Sequence, residues 1–597
     1  MRLRPKYAWL LAFTAAFAVL AGFVFWGTWS LSACPVMPDS PMTFPPEGTA
    51  GEFLRRWVET GLFMPYDIKN FIGSPYFWQE LQYVLGAYFA GLGLAYFLRG
   101  RGVSLPVSFA AGLLLSFCGY WLTLFSAGHG TWFHWMLFGV FVFGLADRAV
   151  RKGTLKDWIL LGACLAWGSF TQIDLWLLFS VFAFAYFVRC CVREGGFPQV
   201  KGLVAAAVVF AAIGAPAFLA AFRAAEGRDA QIDESKGTAL SGGEKKDDGE
   251  ARWIFVTNWS LPPNESLEFF IPRINGDTSY QMTLALGRQQ GTGVRPYTGA
   301  LGRPLGAPSG NYRQHSLYVG FITCLLAILG LASAFFKGAK EGGRRGDIVF
   351  FAVAALVFWL FSLGRYCAPV YRLVYMLPFG DYLRAPVKWH HLTEFSLCVL
   401  AGFGLDALRR ILAGRFRLSP KVALGAVLAV ALVGACDLAR IDRLYCAVVD
   451  LKVARAPNPA AHEIAKRGGG KTLDLLEGGS GLVSRSFSDR GVELTANLGA
   501  DDVRFVWASL EQLNNKGLAK WTKAKGAVPV GLYTLTRDGV RNASGSAANM
   551  ALLQIPSVPA PAPEKKKEMP PVSFATWLGV VSLVFTVSAL SYGAVKS

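Results

Sequence analysis

Residues 8–27 read AWLLAFTAAFAVLAGFVFWG, an uninterrupted run without a charged side chain, and they follow MRLRPK with its cations Arg2, Arg4 and Lys6. Crossing the hydrocarbon core of a bilayer as a helix takes about 20 apolar residues. Backbone amides find no water there, so only helices and closed barrels can span it. The run has full span length, longer than the apolar core of a signal peptide. It is therefore expected to remain as an uncleaved anchor, in preference to lipoprotein-type cleavage before Cys34. Working outward, similar runs occur at 80–98, 104–125, 132–147, 157–173, 175–191, 203–222, 316–335, 348–364, 389–408, 421–438 and 573–593. These predict a polytopic α-helical membrane protein with about twelve spans. The junction at 173–175 is broken only by Gln172 and Asp174, so a re-entrant hairpin is the alternative there.

The chain carries 59 Lys and Arg against 40 Asp and Glu, a formal charge of +19. In a soluble protein that balance would suggest nucleic acid. Here the cations sit in alternate short connections: Arg99 and Arg101; Arg148, Arg151, Lys152 and Lys156; Arg189, Arg193 and Lys201; Lys337, Lys340, Arg344 and Arg345; Arg409, Arg410, Arg415, Arg417 and Lys421. The connections at 126–131 and 173–175 hold none. Such alternation is the positive-inside pattern. It predicts a multi-pass protein of the inner or plasma membrane, with a cytoplasmic N-terminus and contact with lipid headgroups. Nucleic acid is excluded as a partner.

With that topology the membrane domain covers 1–438, with outer loops at 28–79, 223–315 and 365–388. Residues 439–572 are long enough for a small extracytoplasmic α+β domain. Strand-like alternation appears there in LYCAVVDLKVA, GVELTANL and VGLYTLTRDGV, and AAHEIAKRG reads as a helix. VPAPAPEKKKEMPP forms an extended Pro-rich tether to the final span and short cytoplasmic tail at 573–597.

Ten cysteines lack any CxxC pairing. Cys34, Cys367 and Cys446 fall on the oxidising side, where one disulfide among them can form. No Walker loop, dinucleotide fingerprint or GxSxG elbow is present, which removes support for nucleotide-driven transport and serine hydrolysis.

Three groups of residues can carry chemistry. Arg365, Arg372, Arg384 and Lys388 lie beside Tyr and Trp on the face where positive charge is disfavoured. Guanidinium forks bind phosphate oxygens in pairs, so the cluster either holds a lipid-linked phosphate or snorkels to headgroups. Asp39, Glu47, Glu52, Glu59 and Asp67 supply acids in the first outer loop. A carboxylate there can act as general base, help bind a divalent cation such as Mg or Mn, or simply cap a loop. All six histidines fall on the outer half, among them His129, His134 and His390. They make ordinary hydrogen bonds or line a phosphate pocket, and no spacing among them suggests a structural metal site.

Four features together resemble the YfhO-type integral membrane proteins of the type C glycosyltransferase superfamily. They are Asp39 and Gly61 followed by MPYDIKNFIGSPYFW; SAGHGTWFHW; NWSLPPNESLEFFIPRINGD with HSLYVGFITCLLAILGL; and LGRYCAPVYRLVYMLPFGDYLRAPVKWHHLTEFSLCVLAGFGLDAL. The resemblance covers roughly residues 1–440 and is most specific in the last element. It implies a GT-C-like enzyme that takes a sugar from a polyprenyl-phosphate donor and places it on a cell-envelope glycan, polymer or protein acceptor at the outer face. Asp39, with Asp67 as second choice, would then be the catalytic acid residue. Arg365, Arg384 and Lys388 would hold the lipid phosphate, with help from His129 or His390. The alternative is a non-catalytic transporter, flippase or scaffold for lipid-linked envelope glycans. The scarcity of ionisable residues within the spans and the lack of internal twofold similarity count against a proton-coupled pump.

Overall fold

The computed structural model describes residues 5–26, 33–35, 75–127, 134–171, 173–196, 199–237, 248–276, 297–301, 316–336, 344–377, 380, 383–446, 448–450, 458–474, 494–495, 502–514, 516–536, 539–544, 547–559 and 574–595. The protein is mostly helical. Its bundle consists of α1 (Pro5–Phe25), α2 (Pro75–Gly100), α3 (Leu105–Ser116), α4 (Gly119–Ala127), α5 (His134–Phe138), α6 (Phe141–Lys152), α7 (Leu155–Gly168), α8 (Ile173–Glu194), α9 (Val200–Gly237), α10 (Asp248–Thr257), α11 (Phe321–Ser333), α12 (Arg344–Ser362), α13 (Ala368–Tyr375), α14 (His390–Gly414) and α15 (Pro420–Tyr445). Among the described residues six helical stretches are long and apolar enough to cross a bilayer: Pro5–Phe25, Leu81–Gly100, Asp174–Glu194, Val200–Ala220, Arg344–Ser362 and Pro420–Tyr445. Leu105–Ser116, Phe321–Ser333 and Trp577–Ala589 are shorter apolar helices.

Two predicted spans are broken. The run 104–125 divides at Phe117 and Cys118, where the Gly119 amide turns away to donate to the Tyr318 carbonyl at 3.0 Å. The run 132–147 divides at Gly139 and Val140 into α5 and α6. Local chemistry sets other boundaries. Gly153, at φ +63, closes α6, and Thr154 then caps α7 by accepting from the Asp157 amide at 3.3 Å. At the 173–175 junction α8 begins at Ile173 and runs as one helix to Glu194.

α14 is the central helix, buried from His390 through Ala407 except at Leu397. α11 crosses it at backbone contact, for a methyl built on Gly404 would stand 1.9 Å from the Leu326 carbonyl oxygen and one on Gly330 2.0 Å from that of Leu400. At one end of the bundle, here the basic end, three buried aspartates tie helices together. Asp147 accepts from Arg101 (3.2 Å), Arg151 (2.8 Å) and Arg193 (2.5 Å). Asp347 accepts from Arg101 (2.5 Å) and Arg189 (2.6 Å). Asp406 accepts from Arg344 (3.0 Å), Arg409 (3.0 Å) and Arg410 (2.7 Å). Those aspartates are thus interhelical ties as well as residues near helix ends.

Beyond α15 the chain forms α16 (Pro459–Lys466), α17 (Lys516–Ala524) and, last, α18 (Phe574–Val595). The strands are β1 (Ala33–Pro35), β2 (Val448–Asp450), β3 (Lys471–Asp474), β4 (Leu494–Thr495), β5 (Val503–Ser509), β6 (Val528–Thr536), β7 (Gly539–Asn542) and β8 (Met550–Gln554). A mixed sheet runs β4-β3-β5-β8-β6-β7, with β3 parallel to β4 and β5 and the remaining pairs antiparallel; β4 is a two-residue edge. Phe505 and Trp507 of β5 pack with Ala460, Ala461 and Ile464 of α16, while Val506 and Ala508 share a second core with Leu518 of α17. β5 is therefore buried on both faces, which hides the alternation expected of a strand. Of the expected LYCAVVDLKVA strand, Leu444 and Tyr445 end α15, and among the described residues Val448–Asp450 is extended; it pairs antiparallel with β1, not with the larger sheet. α18 docks on the flank of the bundle, its Ser582 hydroxyl donating to the Ile213 carbonyl at 2.6 Å.

Candidate functional site

The end of the bundle opposite the basic one, here the loop end, is built from two segments far apart in sequence. α10 leads into Asn258–Leu261, and α12 leads through Gly364–Cys367 and α13 to the hairpin before α14. Backbone bonds lock them: Ala385 N to Val256 O at 3.1 Å, Val387 N to Trp259 O at 3.1 Å and Leu261 N to Ser362 O at 2.9 Å. The fit demands unusual backbone. Trp259 (φ +57) and Ala385 (φ +62) adopt left-handed conformations that side-chain-bearing residues seldom take. Gly364 has φ +49, and a Cβ there would meet the Ser260 hydroxyl at 2.1 Å.

Each expected cation has a definite place. The Arg365 guanidinium donates to the Thr257 carbonyl (3.0 and 2.6 Å) and to Asn258 Oδ1 (2.7 Å), and its amide donates to Ser260 Oγ (3.0 Å). Partial burial lowers its pKa from the ordinary arginine value. Arg365 thus clamps the 257–260 turn. Lys388 is buried and forms an ion pair with Asp174 at the start of α8. Arg384 is half-buried, its guanidinium carbon 4.8 Å from the Phe255 ring centre and 4.7 Å from that of Trp259. Arg372 is exposed, 5.7 Å from the Trp253 ring. His390 is fully buried and stacked on Phe269, centroids 4.3 Å apart. Asp39, Asp67 and His129 lie outside the described residues, as does the side chain of His134.

Glu265 serves the architecture of the 223–315 segment. Glu265 accepts from the Ala300 and Leu301 amides at 2.6 and 3.1 Å and from the Tyr297 hydroxyl. Burial and the adjacent Glu265 push the Tyr297 phenol well above its usual pKa. Among the described residues no three His, Cys, Asp or Glu side chains are grouped to hold a metal ion. Cys367 is a free thiol, and the side chain of Cys34 is outside the described residues.

A second cluster at the same end was not singled out in the sequence. Glu394, one turn into α14, accepts through Oε1 from the Tyr120 amide (2.8 Å) and the Cys118 thiol (3.2 Å). His391 lies beside it in sequence and packs on Tyr120 and Trp121, with centroids 4.4 and 5.6 Å apart. Asp442, in the last turn of α15, is buried, and neither of its carboxylate oxygens has a hydrogen-bond partner. The WHHLTE stretch carried a legible hint of this cluster; Asp442 did not, because its segment was assigned to the soluble domain. The cluster draws on parts of the three resemblance-bearing stretches that are described, through Phe269, Tyr318–Gly320 and His390–Glu394, with α4 leading into SAGHGTWFHW. Compared with known proteins, the chain matches no family model and no curated protein sequence.

Proposed function

We propose that the protein is a membrane glycosyltransferase that moves a sugar from a polyprenyl-phosphate donor to a cell-envelope acceptor. In this reading it follows the twelve-span GT-C-like plan, with the basic end in the cytoplasm and the loop end outside. The supporting observation is the placement of Arg384: a half-exposed cation held over Phe255 and Trp259 on a rigid hairpin, beside α13 with its exposed Leu373 and Met376. A cation next to apolar surface suits a phosphate that arrives on a lipid chain. Lys388 and Arg365 act through structure, by holding the hairpin that presents Arg384. β1, whose last residue lies four positions before Asp39, is paired with β2 just beyond α15, in keeping with Asp39 working at the same end.

The reaction is one displacement. The acceptor oxygen forms a bond to the anomeric carbon as the bond from that carbon to the phosphate oxygen breaks. The phosphate leaves with the electron pair, the acceptor proton passes to the Asp39 carboxylate, and Arg384 offsets the charge that develops on phosphate. Inversion at the anomeric carbon follows. The transporter alternative draws on one observation, the ionisable groups Glu394 and Asp442 buried within the bundle.

The test uses the purified full chain, a polyprenyl-phosphate hexose and envelope acceptors. Asp39→Asn and Arg384→Ala should each abolish transfer while the protein still folds, the Arg384→Ala melt lying modestly lower for want of its ring contacts. Activity that survives both changes removes the site, and movement of the lipid-linked sugar across the bilayer without bond formation establishes the transporter instead. An impermeant thiol reagent reaching a cysteine placed at Gly414 from the outside would reverse the orientation.

A further inference from the structure

We propose that Asp442 and Glu394 form a binding site for a hydroxyl-rich ring, the sugar portion of a glycosyl ligand, inside the loop end of the bundle. This deepens the glycosyltransferase reading and rests on it for the identity of the ligand. Four pieces of chain meet there. The Gly119 amide at the start of α4 donates to Tyr318 O at 3.0 Å, and the Thr123 hydroxyl accepts from the Ser316 amide at 2.8 Å. Gly320, at φ +104, brings that segment to α15, where Leu438 lies 3.1 Å from the point a Cβ would occupy. Asp442 is one turn beyond Leu438 and so shares its face. Glu394 reaches the same junction from α14, its Oε1 accepting from the Tyr120 amide next to Gly119 at 2.8 Å.

What marks this as a site is an imbalance. Both oxygens of Asp442 and the Oε2 oxygen of Glu394 are buried without a hydrogen-bond partner. A buried polar group left so is destabilising, because it gives up water without gaining a partner. Helix bundles place such groups where a ligand completes them. The surroundings select the ligand. Among the described residues no three His, Cys, Asp or Glu side chains are grouped here to hold a metal ion. The acceptors Asp442 Oδ1, Asp442 Oδ2 and Glu394 Oε2 match the hydroxyl donors of a sugar. The Tyr120, Trp121 and His391 rings, packed on one another, wall the Glu394 side of this junction.

The full chain in lipid nanodiscs is titrated with farnesyl-phosphate hexose, with farnesyl phosphate alone and with a free disaccharide, following tryptophan fluorescence. Asp442→Asn should weaken farnesyl-phosphate hexose or the disaccharide by about tenfold or more, the loss of one hydrogen bond. Binding of farnesyl phosphate should be unchanged. Glu394→Gln, which keeps an oxygen for the Tyr120 amide, should act in the same direction. Loss with the lipid-linked hexose identifies the donor sugar, and loss with the disaccharide identifies the acceptor. Wild-type binding that shows no dependence on the sugar, or unchanged sugar binding in both variants, overturns the proposal. Asp442-dependent sugar binding without any transfer would leave this site standing and remove the enzymatic reading alone.

Discussion

Lys388 and Asp174 stand 214 positions apart in the chain, yet Lys388 Nζ bonds Asp174 Oδ2 with only 3% and 7% of the two side chains exposed. The pair joins the start of α8 to the hairpin ahead of α14, and it takes Lys388 out of the set of cations available to a ligand. Removing one partner strands a buried charge, at a cost of roughly 3–5 kcal/mol. Lys388→Met and Asp174→Leu should therefore each lower the thermal midpoint strongly in detergent. The double variant should recover most of that loss. Equal damage in all three would show that the pair is not coupled.

Arg384 depends on shape as well as charge. A lysine there keeps the charge and loses the planar fork that lies on Phe255 and Trp259. Arg384→Lys should retain the fold, with a stability change of about 1 kcal/mol, comparable to an exposed cation–π contact. Sugar transfer should nevertheless fall by about tenfold or more, equivalent to at least ~1.4 kcal/mol in the barrier. Parallel assays of transfer and unfolding decide the matter.

The crossing of α11 and α14 needs glycine. Gly404→Leu drives a side chain into the Leu326 carbonyl, and Gly330→Leu into that of Leu400. Overpacking at backbone contact typically costs 1–3 kcal/mol or more, so both variants should yield little monodisperse protein on size exclusion. Gly425 in α15 faces open space, and Gly425→Ala should be neutral or stabilise the helix by up to about 1 kcal/mol.

Tyr297 and Glu265 make the loop segment around them sensitive to alkali. The folded phenol holds its proton above its normal pKa, because burial and the adjacent carboxylate oppose ionisation. Its contribution is full at neutral pH and below, and it declines once pH rises past about 10, where an unfolded tyrosine ionises. Tyr297→Phe should lower stability at pH 7 by about 1–2 kcal/mol, since Glu265 loses a donor. It should also flatten the fall between about pH 10 and 11. Thermal melts across that range compare the two proteins; an identical alkaline slope would disprove the coupling.

Much of the membrane architecture is legible residue by residue. The apolar run at 8–27 becomes α1, and AAHEIAKRG becomes α16, capped by Asn458 and opened by Pro459. These signals are local, set by side-chain periodicity and by the chemistry of one helix end. The broken run at 104–125 was not legible, since the turn at Cys118 answers to a hydrogen bond with Tyr318, some two hundred residues later. β5 was equally hidden, because two layers cover it and both of its faces are apolar.

The same division holds at the candidate site. Composition alone marked Arg365, Arg384 and Lys388 as cations at one end of the chain's membrane portion. Only the packed helices assigned Arg365 to a turn, Lys388 to Asp174 and Arg384 to two aromatic rings. Asp442 became an interior group because α15 continues through Tyr445 and carries it between neighbours. Hydrophobic length and end chemistry are properties of short segments, so the sequence by itself marked where helices form, and six of its twelve runs stand among the described residues as helices long and apolar enough to cross a bilayer. The partner of a buried charge depends on which helix faces which, and that was decided only when the whole bundle closed.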